Sequence, residues 1–342
     1  MNGPLPRPPT LKSLGQLLGV SPSLISRVLR NDRNGRVSDV KRAEILSAVR
    51  ASGYRPNHAG RSLRNQKTRI IALAVPDVIN PFYATLFRAV ESAALARDYT
   101  VILCNTEESE QRFERLFDNI GNRHVDGWLI ASATGNDPYL PRLRNENTPF
   151  ILLNRRTRER SVSWIGPDDF QTGWLGADHL LRLGHRRIGY LSADLRLESM
   201  KVRLAGFNKA MRSHSAKVHH DLIMSGSLDS VSVKKRTLEL LRKPVDRRPT
   251  ALLVSHSASI GAVLAAVGEV GLKIPQDLSI VGYNTTADVY LSGLSIPVEG
   301  IAAEGTDLLL DVLSGARSAT PVVNRTLPVT FVDHGTTAPC QK

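Results

Sequence analysis

Cysteine is scarce in this sequence, and long apolar runs are missing from it. The 342 residues include two cysteines, Cys104 and Cys340, which make no metal-binding spacing and are not expected to pair. No segment approaches the roughly 18 consecutive apolar residues that a membrane-spanning helix needs. The proline-rich start, residues 1–9, is typical of a flexible arm and not of a signal peptide. We therefore expect a protein of a reducing, cytoplasmic compartment.

The motifs of common enzyme classes are also missing. Neither G-x-G-x-x-G nor G-x-x-x-x-G-K-[ST] occurs, so the chain has no recognisable phosphate cradle. No Ser/His/Asp or Cys/His arrangement has a supporting context, and the pair His219–His220, like His179 and His185, fits no metal spacing. We expect neither catalysis nor a cofactor nor a metal.

The positive charge is concentrated at one end of the chain. Residues 1–69 hold 14 Lys or Arg and 3 Asp or Glu, a net charge of +11, whereas residues 70–342 hold 31 and 29, a net charge of +2. A localised block of this size indicates a polyanionic partner. A membrane surface is the weaker candidate because the block has no basic helix with an apolar face left over after core packing. Nucleic acid is the favoured partner.

The segment from Thr10 to Leu29 predicts two short helices joined by a three-residue turn. Leucines at 11, 14, 17 and 18 give the first helix an apolar stripe, and the second begins with Ser21 as N-cap and Pro22 at its first position. Its outward positions carry small hydroxyls and long cations, which suit the edges of bases in a DNA major groove. The outward residues are Ser23, Ser26, Arg27 and Arg30.

A third helix and a basic linker follow. Ser38 caps a helix over residues 39–52, so we place a helix-turn-helix domain at residues 1–56, including the N-terminal arm. Residues 57–68 are basic and contain one large apolar side chain, Leu63, which is too little to fold around. This segment is either a plain linker or a short helix that DNA orders.

From residue 69 to 342 the pattern changes to an α/β body. More than 250 residues of alternating strands and helices predict two lobes, each with a parallel sheet, and a crossing between them at 164–167. Ligands of such folds bind at the carboxyl ends of the strands, so we expect a small-molecule cleft there. The expected strands are 70–75, 100–105, 127–132, 150–154, 187–192, 251–255 and 279–283, with helices such as 83–97 and 171–183.

Several ordered motifs together resemble the Lac repressor (LacI/GalR) family of transcriptional regulators. The resemblance covers residues 10 to about 335 and implies a DNA-reading second helix, a hinge helix, and a two-lobed, periplasmic-binding-protein-like body that binds an effector and dimerises. The matching segments are LLGVSPSLISRVLRN, VSDVKRAEILSAVRASGYRPN, AGRSLR, PDVINPFY, VDGWLI, DHLLRLGHRRIGYLS, RLAGFNKAM and PQDLSIVGYN.

The resemblance also implies which residues contact DNA. By position, Pro22, Ser23 and Arg27 would meet bases. Leu63, followed by Arg64 in the hinge, would wedge between central base pairs and kink the duplex. Phosphate contacts are expected from Ser21, Ser26, Tyr54 and Asn57.

Three departures from the family pattern concern the DNA-binding part. Gly15 stands where alanine is usual, and it still suits a tight helix crossing. Leu24 stands where threonine is usual and lacks a hydroxyl that could touch phosphate. Gly60 lies inside the hinge and should weaken a hinge helix by about 0.5–1 kcal/mol relative to alanine.

The effector candidates follow the strand ends and the family positions. Arg203 would point into the cleft, although an exposed helix cation would read the same way, and Phe82 fits the core equally well. Ser255–His256 and Asn284 replace carboxylates that usually accept sugar hydroxyls, which favours an effector that is anionic or less rich in hydroxyls. The full set of candidates is Asn80, Phe82, Asn154, Arg203, His256 and Asn284.

Together these features predict a sequence-specific DNA-binding regulator, most simply a repressor. A small molecule such as a sugar, sugar acid or sugar phosphate would switch its affinity for a pseudo-palindromic operator. We expect a homodimer with no membrane association. The alternative is a solute-binding protein without a DNA role, which would leave the basic N-terminal block unexplained.

Overall fold

The computed structural model describes residues 9–29, 37–54, 67–283, 291–318 and 321–340, apart from the side chains at 122 and 123. Its contacts divide the chain into two compact units, Met1–Thr68 and Arg69–Lys342. Asn57, Leu63, Arg64 and Asn284, and with them residues 57–66 of the hinge, lie outside the described residues. None of the described helices is both long and apolar enough to cross a membrane.

In the described part of the N-terminal unit, three helices begin where the caps predict. The hydroxyls of Thr10, Ser21 and Ser38 each accept the backbone N–H three residues further on, at 3.1, 3.2 and 3.3 Å. Such caps satisfy amides that would otherwise lack a partner at a helix start. The helices are α1 (Leu11–Leu18), α2 (Pro22–Leu29) and α3 (Asp39–Ala51), and the expected helix-turn-helix is confirmed.

A small core joins these helices. Leu17 does not belong to it as the leucine stripe predicted, because its side chain is 75% exposed. Gly15 is buried where the chain returns from α1 to α2, and a Cβ there would lie 2.8 Å from the carbonyl oxygen of Val20. The glycine therefore permits the tight turn, as expected. The buried residues are Leu14, Ile25, Val28, Ile45 and Val49.

The described residues of the body form two sheets built mainly of parallel strands, as the alternating pattern predicts. Every strand pair that the structure describes is parallel except β10 with β12. The strands are β1 (Ile70–Val75), β2 (Thr100–Asn105), β3 (Gly127–Ile130), β4 (Phe150–Leu153), β5 (Trp164–Pro167), β6 (Ile188–Ser192), β7 (Ile223–Ser225), β8 (Ala251–Val254), β9 (Ser279–Tyr283), β10 (Gly293–Ser295), β11 (Asn324–Leu327) and β12 (Thr330–Val332).

Each sheet is the centre of one lobe. Among the described residues the first lobe has the strand order β11-β5-β4-β3-β1-β2, and the second has β12-β10-β9-β8-β6-β7. The helices of the body are α4 (Pro81–Leu95), α5 (Glu110–His124), α6 (Leu140–Asn145), α7 (Asp169–Arg182), α8 (Glu198–Ser213), α9 (Ser230–Leu241), α10 (Ile260–Val270) and α11 (Val298–Ser314).

The chain crosses between the lobes three times within the described residues. Trp164–Pro167, expected to be the crossing itself, is strand β5 of the first sheet, and the crossing follows it directly. The chain returns to the first lobe between β10 and α11, which packs on β3, β4 and β5. It crosses again between β11 and β12. The expectation for residues 164–167 was wrong because this short apolar segment contains a glycine and a proline, which are typical of a turn.

Helices α7 and α8 of the second lobe approach each other very closely. A Cβ on Gly173 would lie 1.8 Å from the carbonyl oxygen of Arg203, and one on Gly206 would lie 2.0 Å from that of Phe170. Only glycine fits at such contacts, because any side chain would force the two backbones apart. The close contact sets the position of Arg203 on α8.

Candidate functional sites: an exposed helix face and an interlobe cleft

The exposed face of α2 carries small hydroxyls and one guanidinium. Ser21 and Ser23 are exposed, with their hydroxyl oxygens 2.9 Å apart, and Pro22 lies exposed between them. Ser26 and Arg27 are half-buried on the same helix, while its opposite face is in the core. A face with short side chains at its start allows close approach to a groove, and the guanidinium can reach a base edge or a phosphate.

Tyr54 follows α3 and packs against the core of the N-terminal unit. Its backbone N–H donates to the hydroxyl of Ser52 at 3.3 Å, which holds the end of the helix. The ring is half-buried. Contact of Tyr54 with a phosphate stays a prediction.

A cleft of about 790 Å³ lies between the two lobes of the body. Its walls come from segments that directly follow β1, β2 and β4 in the first lobe and β6, β7 and β8 in the second. These are the carboxyl ends of parallel strands, where the α/β pattern placed a ligand site. The size suits a small molecule.

The two lobes also touch each other beside the cleft. The backbone N–H of Glu198 donates to the carbonyl oxygen of Thr134 at 3.1 Å, and Arg158 pairs with the Glu198 carboxylate at 3.2 Å. The hydroxyl of Ser257 lies 3.5 Å from Oδ1 of Asn80. A change in the angle between the lobes would break these contacts, so they report the closure of the cleft.

At the start of α4, the position of each residue along the helix decides whether its side chain faces the cleft or the core. Asn80 lines the cleft and caps α4, since its Oδ1 accepts the N–H of Phe82 at 3.1 Å. Phe82 itself is packed in the core, whereas Tyr83, the next residue, lines the cleft. Burial raises the pKa of Tyr83, and the Arg155 charge offsets this in part, so the hydroxyl keeps its proton at neutral pH.

The same shift of one residue occurs after β4. Asn154, the residue expected in the cleft, is buried with φ of 58°, and its carbonyl oxygen accepts the indole N–H of Trp164 at 3.3 Å. Arg155 lines the cleft instead. Sequence reasoning missed Arg155, although an arginine directly after a buried strand is a signal that could have identified it.

Arg155 is a buried cation, and one nitrogen of its guanidinium lacks a hydrogen-bond partner among the described residues. The residue is 4% exposed, and its Nη2 donates to Oε1 of Glu108 at 2.7 Å. Its Nη1 has no hydrogen-bond partner in the described part of the chain. Burial favours loss of the proton, but the neighbouring Tyr83 and Glu108 outweigh it and raise the pKa of Arg155. The guanidinium therefore stays charged.

Arg203 is buried beneath the cleft and does not line it. Its Nε donates to Oδ1 of Asp169 at 2.8 Å, Nη1 to the carbonyl oxygen of Ser255 at 2.7 Å, and Nη2 to the hydroxyl of Tyr283 at 2.6 Å. All three nitrogens are thus engaged by the second lobe. Burial raises the pKa of Asp169, and Arg203 opposes that shift. Direct effector contact by Arg203 stays a prediction.

His256 lines the cleft directly after β8 and is neutral. Burial and the positive charges of Arg155 and Arg203 lower its pKa to about 3. Its Nδ1 accepts the N–H of Ala258 at 3.3 Å, so in the neutral ring Nε2 carries the proton and can donate. Among the described residues no group of three or more His, Cys, Asp or Glu side chains is arranged to hold a metal ion.

The two sites define a class of protein. A basic helix-turn-helix unit joined to a two-lobed body with a ligand-sized cleft is the architecture of a DNA-binding regulator that responds to a small molecule.

Comparison with known families identifies that class more closely. Residues 10–57 match the family described as "Bacterial regulatory proteins, lacI family", and residues 177–337 match the "Periplasmic binding protein-like domain". The chain therefore combines a LacI-family helix-turn-helix domain with a periplasmic-binding-protein-like domain, as the sequence motifs predicted.

Relatives that match most of the chain include repressors. The HTH-type transcriptional repressor PurR of Mannheimia succiniciproducens is 28% identical over 279 residues, covering 80% of this chain and 81% of the relative. The ribose operon repressor of Escherichia coli K12 is 28% identical over 289 residues, covering 84% of this chain and 86% of the relative.

Solved structures show the same fold. The Lac repressor dimer bound to operator and the anti-inducer ONPF has a TM-score of 0.84 at 23% identity, covering 97% of this chain and 100% of the other. The complex of the transcriptional regulator CelR with cellobiose has a TM-score of 0.72 at 25% identity, covering 96% and 99%. A LacI family regulator from Enterococcus faecium with bound ribose has a TM-score of 0.69 at 27% identity, covering 80% and 100%.

Proposed function

We propose that this chain is a repressor that binds a pseudo-palindromic operator as a homodimer. Its affinity for the operator falls or rises when a small molecule enters the interlobe cleft. The observation that carries this proposal is the exposed face of α2 in a unit that holds most of the excess positive charge. The chain acts by binding alone, without catalysis, and it acts where the chromosome is, in the cytoplasm.

The DNA contacts of the proposal divide into reading and positioning. Pro22, Ser23 and Arg27 would read base edges, because they lie on the exposed face of α2. Ser21, Ser26 and Tyr54 would contact phosphates, as would Asn57 beyond the described residues. Leu63 and Arg64 keep their proposed place in the minor groove. Each half-site then offers only a few base contacts, which makes two half-sites necessary.

The effector contacts of the proposal come from both lobes. Asn80 and Tyr83 of the first lobe and His256 of the second line the cleft and offer hydrogen-bonding groups. Arg203 supports the second wall from beneath, and Asn284, beyond the described residues, keeps its proposed place. The structurally similar CelR and Enterococcus faecium regulators hold cellobiose and ribose, which favours a hydroxylated effector here.

Selection of bound sequences from a random duplex library tests operator binding, followed by gel-shift titration of the full chain. We expect an enriched pseudo-palindrome. Arg27→Ala should weaken binding by about 1–3 kcal/mol and relax the preference at one position of each half-site. The control is Arg142→Ala on the surface of the body, where Arg142 pairs with Glu146; this change should leave binding unaltered.

Three outcomes would count against the proposal. Equal losses on specific and random DNA in Arg27→Ala would make Arg27 a phosphate contact only. Absence of any enriched sequence would favour the alternative of a solute-binding protein without a DNA role. Sedimentation as a monomer at all concentrations would contradict the dimer.

A further inference from the structure

Tyr83, Arg155 and His256 are polar side chains that line the cleft and are nevertheless buried, and we call these three residues the floor. They are 3%, 4% and 7% exposed, and all three line the cavity. Tyr83 and His256 are neutral, with protons on Oη and Nε2, so both can donate hydrogen bonds. Arg155 adds a full positive charge. The floor is therefore a set of donors around a buried cation.

Positive charge is in excess around this floor. Arg155 and Arg203 flank His256, and the guanidinium of Arg156 lies 4.5 Å from the centre of the Trp164 ring. The carboxylates that face these three guanidiniums are Asp169, bonded to Arg203 and 3.6 Å from Arg156, and Glu108, bonded to Arg155. Nη1 of Arg155 and Nε of Arg156 have no hydrogen-bond partner within the described chain. A buried donor without a partner is costly, so this region favours an anion.

Glu108 pairs with Arg155, although the Glu108 side chain is exposed and its backbone has a strained conformation. Its side chain is 45% exposed, and it follows Glu107 in a loop where both residues have positive φ, of 50° and 57°. Non-glycine residues rarely adopt this left-handed backbone. The exposed carboxylate is free to turn away into water, which would leave the Arg155 fork to a carboxylate or phosphate of a ligand.

The outer part of the cleft, which we call the rim, carries carboxylates. These carboxylates already have ion-pair or hydrogen-bond partners. Asp194 pairs with Arg196 at 2.7 Å, and Asp229 caps α9 by accepting the Ser232 N–H at 2.9 Å. Asp77 accepts the Ile79 N–H at 2.9 Å. Charges at the exposed rim are screened by water and salt, whereas the buried charge at the floor is screened much less. Rim carboxylates can still accept hydroxyl hydrogens.

We propose that Arg155 anchors an anion-binding subsite at the floor of the cleft, so that the effector carries a carboxylate or phosphate group together with hydroxyls. Tyr83 and His256 donate to the same anionic group, and the rim receives the hydroxylated end. The inference rests on the proposed function in one respect, namely that the cleft is the effector site.

Matched pairs of compounds test the subsite on the full chain. Calorimetric titration compares glucose with glucuronate and glucose 6-phosphate, and ribose with ribose 5-phosphate. We expect at least one anionic member to bind about tenfold or more tightly than its neutral partner, since charge-assisted bonds to a buried guanidinium are strong. The uronate and phosphate arms distinguish the two anionic groups.

Two variants and one control locate the effect. Arg155→Gln should abolish the anion preference, and Glu108→Gln should strengthen anion binding several-fold because it removes the competing carboxylate. Arg142→Gln, a surface arginine of the same lobe with the ion pair to Glu146, should change neither. Glu108→Gln keeps the test decisive if Arg155→Gln does not fold.

Inorganic phosphate gives a second readout by thermal unfolding, compared with chloride at equal ionic strength. Wild type and Arg142→Gln should gain more stability from phosphate than Arg155→Gln does. Equal gains in all three, or a neutral sugar that binds as tightly as its anionic partner, would overturn the subsite. If neutral sugars bind and alter operator affinity, the proposed function stands without the subsite; if ligands bind and operator affinity never responds, the proposed function fails and the subsite stands.

Discussion

The N-terminal unit and the body place their functional residues in opposite ways. In the N-terminal unit the candidate residues on α2 are exposed or half-buried, and the buried core beneath them consists of five side chains among the described residues. In the body the candidate residues are buried polar groups held by contacts distant in sequence, such as Arg203 with Tyr283. Substitution of an exposed functional residue should change the free energy of unfolding little. Substitution of a buried functional residue changes both the ligand site and the free energy of unfolding.

The sharpest test of this difference is a backbone contact in the body. Gly173→Ala places a Cβ 1.8 Å from the Arg203 carbonyl oxygen. It should force α7 and α8 apart and reduce the free energy of unfolding by about 3 kcal/mol. Urea denaturation followed by circular dichroism measures the loss.

Gly268→Ala is the matched control in the same lobe. Nothing lies within 4 Å of a Cβ at this position in α10, so alanine should stabilise the helix by about 0.5–1 kcal/mol. If Gly173→Ala were as harmless as this control, the close helix contact would not position Arg203.

The second test uses pH. His256 has a folded pKa of about 3, below the ordinary histidine value of 6.5, so the unfolded chain binds the proton more tightly. The stability it contributes is complete above pH 6.5 and is lost as the pH falls toward the folded pKa. At pH 5 the loss from this residue should be about 2 kcal/mol, at 1.36 kcal/mol per pKa unit.

His256→Asn should remove that part of the pH dependence. Unfolding free energies of the two proteins, measured at pH 7.5 and pH 5, should converge as the pH falls. His179 and His185, whose pKa values are also lowered by burial, are present in both and cancel. An unchanged difference between the two pH values would contradict a buried neutral His256.

The smallest expected effect lies in the N-terminal unit. Ser21→Ala removes the cap of α2 and should lower the stability of this unit by about 1 kcal/mol. Ser23→Ala, on the next exposed position, should cost far less. Thermal unfolding of the N-terminal unit, followed by circular dichroism, compares the two. Similar losses would show that the hydroxyl of Ser21 does not cap the helix.

Local signals were enough where neighbours in the chain decide the outcome. Ser21 with Pro22 predicts the start of α2 because the N-cap bond is made within three residues, and the charge of residues 1–69 predicts a polyanionic partner without any structure. The two-lobed body followed from alternating strands and helices. The short strands β7, β10, β11 and β12 escaped because none of them contains three consecutive apolar residues, the signal that marked strands such as β3 and β4.

The chain alone therefore determined the class of fold, the basic DNA-binding unit and the existence of a cleft, because these depend on period, caps and charge. Only the tertiary structure decided which side chains face the cleft. Tyr83 lies there in place of Phe82, and Arg155 in place of Asn154. One residue along a helix or beyond a strand end turns a side chain to another face, and the choice depends on how the two lobes pack.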